Sequence, residues 1–217
     1  LSSLLIGFGA FKVVPLGFIL EKLACQDIIF ITVEDTPTLI KSNFEILAKY
    51  NTLLNKNICN RIANVSNETL WTDKGAFFGS ILGTLNHLMV GDLIWLNRLN
   101  GHPNHSEGFK ALRPLMDFTS PTKLTQILYD NKEDFIENRK MLDEMIIQFV
   151  EETNEIDYSE AIRYINTKGD AFSKSFSMLL LHLFNHQTHH RGQVTTLLTQ
   201  IGVDIGETDL LMLIPDF

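Results

Sequence analysis

Four of the chain's seven histidines, His182, His186, His189 and His190, fall in the string HLFNHQTHHRGQ, whereas even scattering would put fewer than one in so short a stretch. Imidazole is both a metal ligand and a proton carrier near neutral pH. On a helix turning about 100° per residue, His182 and His190 each lie about 40° from His186, and His189 about 60° to one side, so all four rings share a face. Histidines four apart stack about one turn apart and can reach one divalent cation together. Hydrogen-bonded imidazoles on a polar helix edge would explain an isolated pair. Four on one helix face otherwise rich in Leu and Phe point to a metal.

A site that does more than bridge one helix needs a further ligand, and His87 is the comparable candidate. It sits in LNHLMVGDLIWLNR with Gly83, Gly91 and Ile94 on its own face and Leu82, Leu85, Met89, Leu93 and Leu96 opposite. A helix apolar on nearly all sides is buried on nearly all sides, and small residues above and below His87 leave room for an ion and a facing helix. A lone buried histidine is ordinarily a satisfied core residue. Set against the histidine row, His87 becomes the third ligand candidate. His102 and His105, in the GHPNH loop, are expected to be solvated. Gln193 falls on the metal face and suits a hydrogen bond to a ligating imidazole. Arg191 points about 140° away from His186, which favours a structural ion pair over a clamp on a substrate anion. Asp92, Glu207 and Asp209 are further candidates for supporting the site, with Asp92 expected to pair elsewhere.

These side chains need four long helices to position them. The first opens at Asp35 or Thr36 and carries Leu39, Phe44, Leu47, Tyr50, Leu54, Ile58 and Ile62 as one stripe. The second runs from Ser80 to Asn100, with Gly101 placed to cap it. The third follows Ser120-Pro121, with Leu128, Phe135, Leu142 and Phe149 inward and Lys132, Glu133, Arg139 and Glu144 among the charged positions between them. The fourth runs from near Phe172 to before Gly202. Residues 156–166, ahead of the Lys168-Gly169 turn, suit a short hairpin. Four helices without sustained alternation elsewhere predict an all-α helix bundle.

The 217 residues are 45% hydrophobic and 20% charged, with 18 basic against 26 acidic side chains and a net charge of -8. That composition fits one globular domain of residues 35–217 and disfavours a nucleic-acid or anionic membrane partner, since the charge repels both. Cys25 and Cys59 are too few for a disulfide framework and read as buried apolar side chains, consistent with a cytoplasmic setting. Residues 1–34 differ from the rest: apolar, yet broken by Gly7, Gly9, Lys12, Pro15 and Gly17. They are read as an extension outside the functional unit, with a weak anchor, a loosely structured tail and translation upstream of the natural start as the three alternatives and the last expected.

The strings KYNTLLNKNI, GAFFGSILGTLNHLMVGDLIWLNRL and FNHQTHHRGQVTTLLTQIG, followed by ETDLL, resemble the DinB/YfiT-like family of metal-dependent enzymes over residues 36–209. The resemblance implies a four-helix bundle of up-down-down-up connectivity, commonly dimeric, that holds one divalent metal by three histidines. Carried over by motif position these are His87, His186 and His190, with His182 and His189 near the site but outside the triad. Residues 1–34 have no counterpart in the family pattern. A second helix this apolar also predicts a homodimer that covers the excess.

Three neutral imidazoles leave a coordination position open, as catalytic sites do. Imidazole serves several first-row metals, so the ion is expected to be zinc, nickel, iron or manganese without a choice among them. The helix reads HHRGQ and not HExxH, so no glutamate between the ligands serves as a protease-type base. Some relatives in the wider family are thiol-dependent transferases or isomerases. The resemblance therefore implies a small-molecule transferase using a low-molecular-weight thiol, or a hydrolase, with a non-catalytic stress-induced metal-binding homodimer as the alternative. A haem protein fits three converging imidazoles less well.

Overall fold

The computed structural model describes residues 40–166 and 168–216, and the expectations for residues 1–34 and Cys25 lie outside them. Four long helices carry the architecture: α1 (Ile40–Ile62), α3 (Ile81–Leu99), α4 (Lys132–Glu152) and α5 (Phe176–Thr199), with a one-turn α2 (Asn67–Trp71) after the first. A hairpin of β1 (Ala161–Ile165) and β2 (Ala171–Ser175) precedes α5, pairing antiparallel with Tyr164 opposite Phe172 and Ile162 opposite Lys174.

The side-chain contacts fix the directions of the helices. Lys41, opening α1, donates to the Glu151 and Thr153 carbonyls at the end of α4, while Lys132, opening α4, donates to Ala63 and Val65 just past α1. The two helices are antiparallel. His87 meets His190 while Trp95 meets His182, so α3 and α5 are antiparallel as well. Phe44 meets Phe184 and Asn51 meets Arg191, which makes α1 and α5 parallel. This is the up-down-down-up bundle that the family resemblance implies.

The helix starts follow from their caps. Ser80 accepts from Gly83 N at 3.0 Å ahead of α3. Asn131 accepts from Asp134 N at 2.9 Å and donates back to its carboxylate at 2.8 Å ahead of α4. The third helix therefore starts eleven residues after Pro121, not at it. Leu128 precedes it, because its backbone N–H is taken by the Asn86 side chain and not by a helical carbonyl. At the end of α5, Gly202 adopts φ 79°, which lets Val203 N reach back to Leu198 O at 3.0 Å and close the helix.

The core is a single cluster in which Phe44, Leu85, Leu96, Phe109, Phe149 and Phe176 stand among the buried side chains. α3 is buried along nearly its whole length by elements of the same chain. Its apolar surplus is met within the chain, so this helix supplies no reason for a second copy. Arg139, expected among the charged positions facing outward on the third helix, is buried, because Asp92 and Asp143 receive its guanidinium inside the bundle. Cys59 is buried and its thiol is pushed up to about 12, by burial first and by the nearby Asp143 charge second, so it stays protonated and inert. Among the described residues no helix is long and apolar enough to cross a membrane.

Candidate metal centre

α3 and α5 bring His87, His186 and His190 together, with one ligand nitrogen from each ring within 4.8 Å of the others. Small residues make the approach. A Cβ on Gly91 would lie 2.7 Å from His186 Cε1, so the glycine is the seat of that ring. A Cβ on Gly83 would collide with the Phe78 carbonyl, and this close approach brings the Phe78 ring flat onto His87, with centroids 3.9 Å apart.

Two of the three rings have their tautomers set by oxygen acceptors. His87 Nδ1 lies 3.0 Å from Leu124 O, and His190 Nδ1 lies 2.8 Å from Gln193 Oε1. A carbonyl oxygen can only accept, so each Nδ1 carries its proton and each Nε2 presents a bare lone pair. The expectation for Gln193 holds. His186 differs: its Nε2 lies 3.1 Å from His87 Nε2, and its Nδ1 is buried without a hydrogen-bond partner among the described residues. Nitrogens at that spacing either share one proton or both face a cation, and a tetrahedral ion with Zn–N bonds of about 2.0–2.1 Å separates its ligands by roughly 3.3 Å. The donor set fits a divalent ion.

Electrostatics favour the neutral rings that an ion requires. Burial lowers His186 to about 3, helped by the proximity of His190, His87 and the other histidines. Burial lowers His87 and His190 too, against the opposing pull of the Leu124 carbonyl and of Gln193. His182 lies one turn away, its ring 6.1 Å from His186 and 5.0 Å from Trp95, and burial lowers it as well. His189 is exposed and touches Gln193. Both lie outside the converging set.

The cluster opens onto a cleft of about 480 Å³ that reaches from His87 and His186 past Trp95 to Arg98 on α3 and to Tyr164 and Lys174 on the hairpin. Among the described residues no carboxylate lines it.

Behind the histidines runs a buried polar network that the sequence did not disclose. Arg139 on α4 donates to Asp92 at 2.6 Å and to Asp143 at 2.7 Å. Burial works against its charge, but the Asp143 and Asp92 carboxylates outweigh that and hold it above the ordinary guanidinium value. Gln187 donates to Asp92, and Asn55 donates to Asp143 at 2.8 Å. Arg191 donates to Asn51 and to Gln187 and lies against the Tyr50 ring, 5.4 Å from its centroid. Burial lowers it to about 10. Arg191 is thus structural, as expected, but its hydrogen-bond partners are amides and the Thr188 hydroxyl, not a carboxylate. Asp92 pairs away from His87, while Asp209 sits at the N-terminus of the last 3-10 turn and Glu207 lines a hollow beside α1.

His102 and His105 overturn their expected solvation. His102 is buried, accepting from Asn104 N on Nδ1 at 3.2 Å and meeting the Asp157 carbonyl through Nε2 at 3.1 Å. His105 Nε2 lies 3.1 Å from the Asp157 carboxylate. Asp157 also receives Asn154 N and the Asn104 amide; burial would raise it, but these donors outweigh burial and leave it below the usual carboxylate range. With both His102 nitrogens and both Asp157 oxygens engaged, the group is a clasp between two loops.

The sequence model of the DinB family matches residues 40–215. The chain belongs to the DinB family. It is also similar to Protein DinB of Bacillus subtilis (strain 168), at 26% identity over 163 residues covering 75% of this chain and 88% of that protein. No solved structure matches significantly. As a member of the DinB family, the chain keeps the histidine cluster and the helical bundle together within the matched span.

Proposed function

We propose that His87, His186 and His190 hold one divalent metal ion and that the protein is a metal-dependent enzyme acting on a small molecule, of the thiol-transferring class. The observation that carries this reading is the convergence of three neutral imidazoles beside an open cleft. An ion bound by three neutral ligands lowers the pKa of a thiol or water taken into its open position. The protein's own residues do the rest. Phe78 covers one side of His87, Leu124 and Gln193 hold the Nδ1 protons of His87 and His190, and Gly91 keeps the His186 ring in place. His182, an exposed residue lining the cleft one turn from His186, is placed to take up the proton that an entering thiol gives up.

The test is metal analysis of the purified full chain, followed by cobalt loading and addition of a thiol. About one equivalent per chain is expected, with loss in each of His87→Ala, His186→Ala and His190→Ala and retention in His102→Ala. Retention in all three cluster variants overturns the site. A sulfur-to-cobalt charge-transfer band on adding thiol supports the thiol class, and its absence in the loaded protein overturns that class.

A further inference from the structure

The cleft beside the histidine cluster carries two cations that have no acidic partner among the described residues. Arg98 and Lys174 line it, and among the described residues neither is hydrogen-bonded or ion-paired to a carboxylate, in a chain with 26 acidic against 18 basic residues. Each is held by aromatic faces instead. The Arg98 guanidinium lies 4.7 Å from the Trp95 ring and 4.9 Å from the Tyr164 ring. Lys174 Nζ lies 5.6 Å from the Phe172 ring. Stacking fixes the plane of a guanidinium and leaves its N–H edge unspent, which is the edge that grips a carboxylate in a forked pair.

Both elements aim these groups at the same space. On α3, His87, Gly91, Trp95 and Arg98 recur at helical spacing on one face, and a helical side chain leans toward the N-terminus. Arg98 accordingly turns back over Trp95, toward His87 and away from the helix end, where its charge would otherwise complement the last carbonyls. On the hairpin, Tyr164 pairs with Phe172 and Ile162 with Lys174, and the two-residue alternation puts all four on one face. On that face Ile162 is buried in the core and Tyr164 is half-buried, while Phe172 and Lys174 beside them stay exposed at the rim of the cleft. The cleft thus has a histidine end and a cationic end, with aromatic walls between.

We infer that the ligand of this cleft is a small molecule carrying a carboxylate, bound by Arg98 and Lys174, with an apolar stem along Trp95 and Phe172 and its reactive group at the histidine end. Arg98 and Lys174 are specificity-determining residues. Eleven residues separate His87 from Arg98, roughly 16 Å along the helix axis, and the backward lean of Arg98 shortens the span to roughly 10 Å. The inference rests on the histidine cluster being the reactive end.

The test titrates the full chain with 4-phenylbutyrate and, as its uncharged counterpart, 4-phenylbutanol. Calorimetry and the fluorescence of Trp95 in a Trp71→Phe background follow binding, with divalent metal present and again after chelator treatment. The carboxylate is expected to bind about tenfold or more tightly than the alcohol in both conditions. Arg98→Gln and Lys174→Gln should each reduce that preference, and the double variant should abolish it, while alcohol affinity changes less than about twofold. Lys174 is on an exposed strand, so its variant keeps the test sound if Arg98→Gln disturbs the stacking. Equal binding of acid and alcohol by the wild type, or a preference that survives the double variant, overturns the inference. A preference that vanishes on chelation places the carboxylate on the metal, which overturns the roles of Arg98 and Lys174 while leaving the metal reading standing. A protein that takes up no metal but keeps the preference would sink the metal reading alone.

Discussion

The side chain of Asn86 and the backbone of Tyr129 exchange hydrogen bonds in both directions, Nδ2 donating to Tyr129 O and Oδ1 accepting from Tyr129 N, each at 2.9 Å. Asn86 Oδ1 also accepts from Leu128 N at 2.8 Å. Through these bonds a residue adjacent to His87 fastens the segment ahead of α4, and a few residues upstream in that segment the Leu124 carbonyl fixes the His87 tautomer.

Asn86→Ala should therefore disturb the histidine cluster without touching it. Losing these bonds is expected to lower the unfolding free energy by about 2–3 kcal/mol in urea titrations. Metal affinity, read by competition with a chromophoric chelator, should fall about tenfold or more because the His87 ring loses its orienting carbonyl. Unchanged affinity would show that Leu124 is not what holds the ring.

Gly91→Ala separates fit from stability. The added methyl meets His186 Cε1 at 2.7 Å and must displace the ring. Overpacking of this kind costs about 1–3 kcal/mol, while the shifted ring should lower metal affinity about tenfold or more. Wild-type affinity in this variant would mean that His186 can ligate from another position.

Arg139→Met tests the network behind the site. Two buried carboxylates lose the guanidinium between them, and an unfolding free energy lower by about 3–5 kcal/mol is expected. Adding Asp92→Asn and Asp143→Asn removes the stranded charges and should return part of it. A single variant as stable as the wild type would place no weight on the network.

Acid should weaken the metal-free protein through the cluster. The folded pKa of His186 is depressed to about 3 from an unfolded value near 6.5, so the folded state resists protons that the unfolded chain accepts. The stability from this group is fully present above about pH 6.5 and is lost as pH falls toward 3. Chelator-treated wild type should lose stability between pH 7 and pH 5 more steeply than His186→Gln, with urea midpoints as the readout. Parallel pH profiles would refute the assignment.

The bundle was legible in the sequence because its four stripes repeat at helical spacing, and the histidine row was legible because His182, His186 and His190 recur every four residues. His87 could be read from the glycines around it. The rest needed the third dimension. Arg139 reads as an outward charge by residue type alone, although Phe135, Leu142 and Ile146 share its helical face; its carboxylate partners are Asp143 on its own helix and Asp92 on another. His102 and His105 read as solvated because loop residues usually are, and Asp157, which engages both, is more than fifty residues away. The start of α4 was misplaced because Asn86, on another helix, takes the backbone donor that would have extended it. The misses at His102, His105 and the start of α4 each turn on a long-range polar partner, which periodicity cannot reveal.

On α5, His186 and His190 face His87 on α3, and the residue after each, Gln187 and Arg191, is locked into the polar network. Both rows step by four, so the helix behaves like a keyed shaft. Neither a twist nor an axial slide can retune the distances between the histidines unless the key behind them is recut at the same time. An insertion between Gln187 and His190 would throw both rows out of phase together. The chain can therefore vary its cleft by exchanging residues on α3 and the hairpin, while the geometry of α5 changes only as a unit.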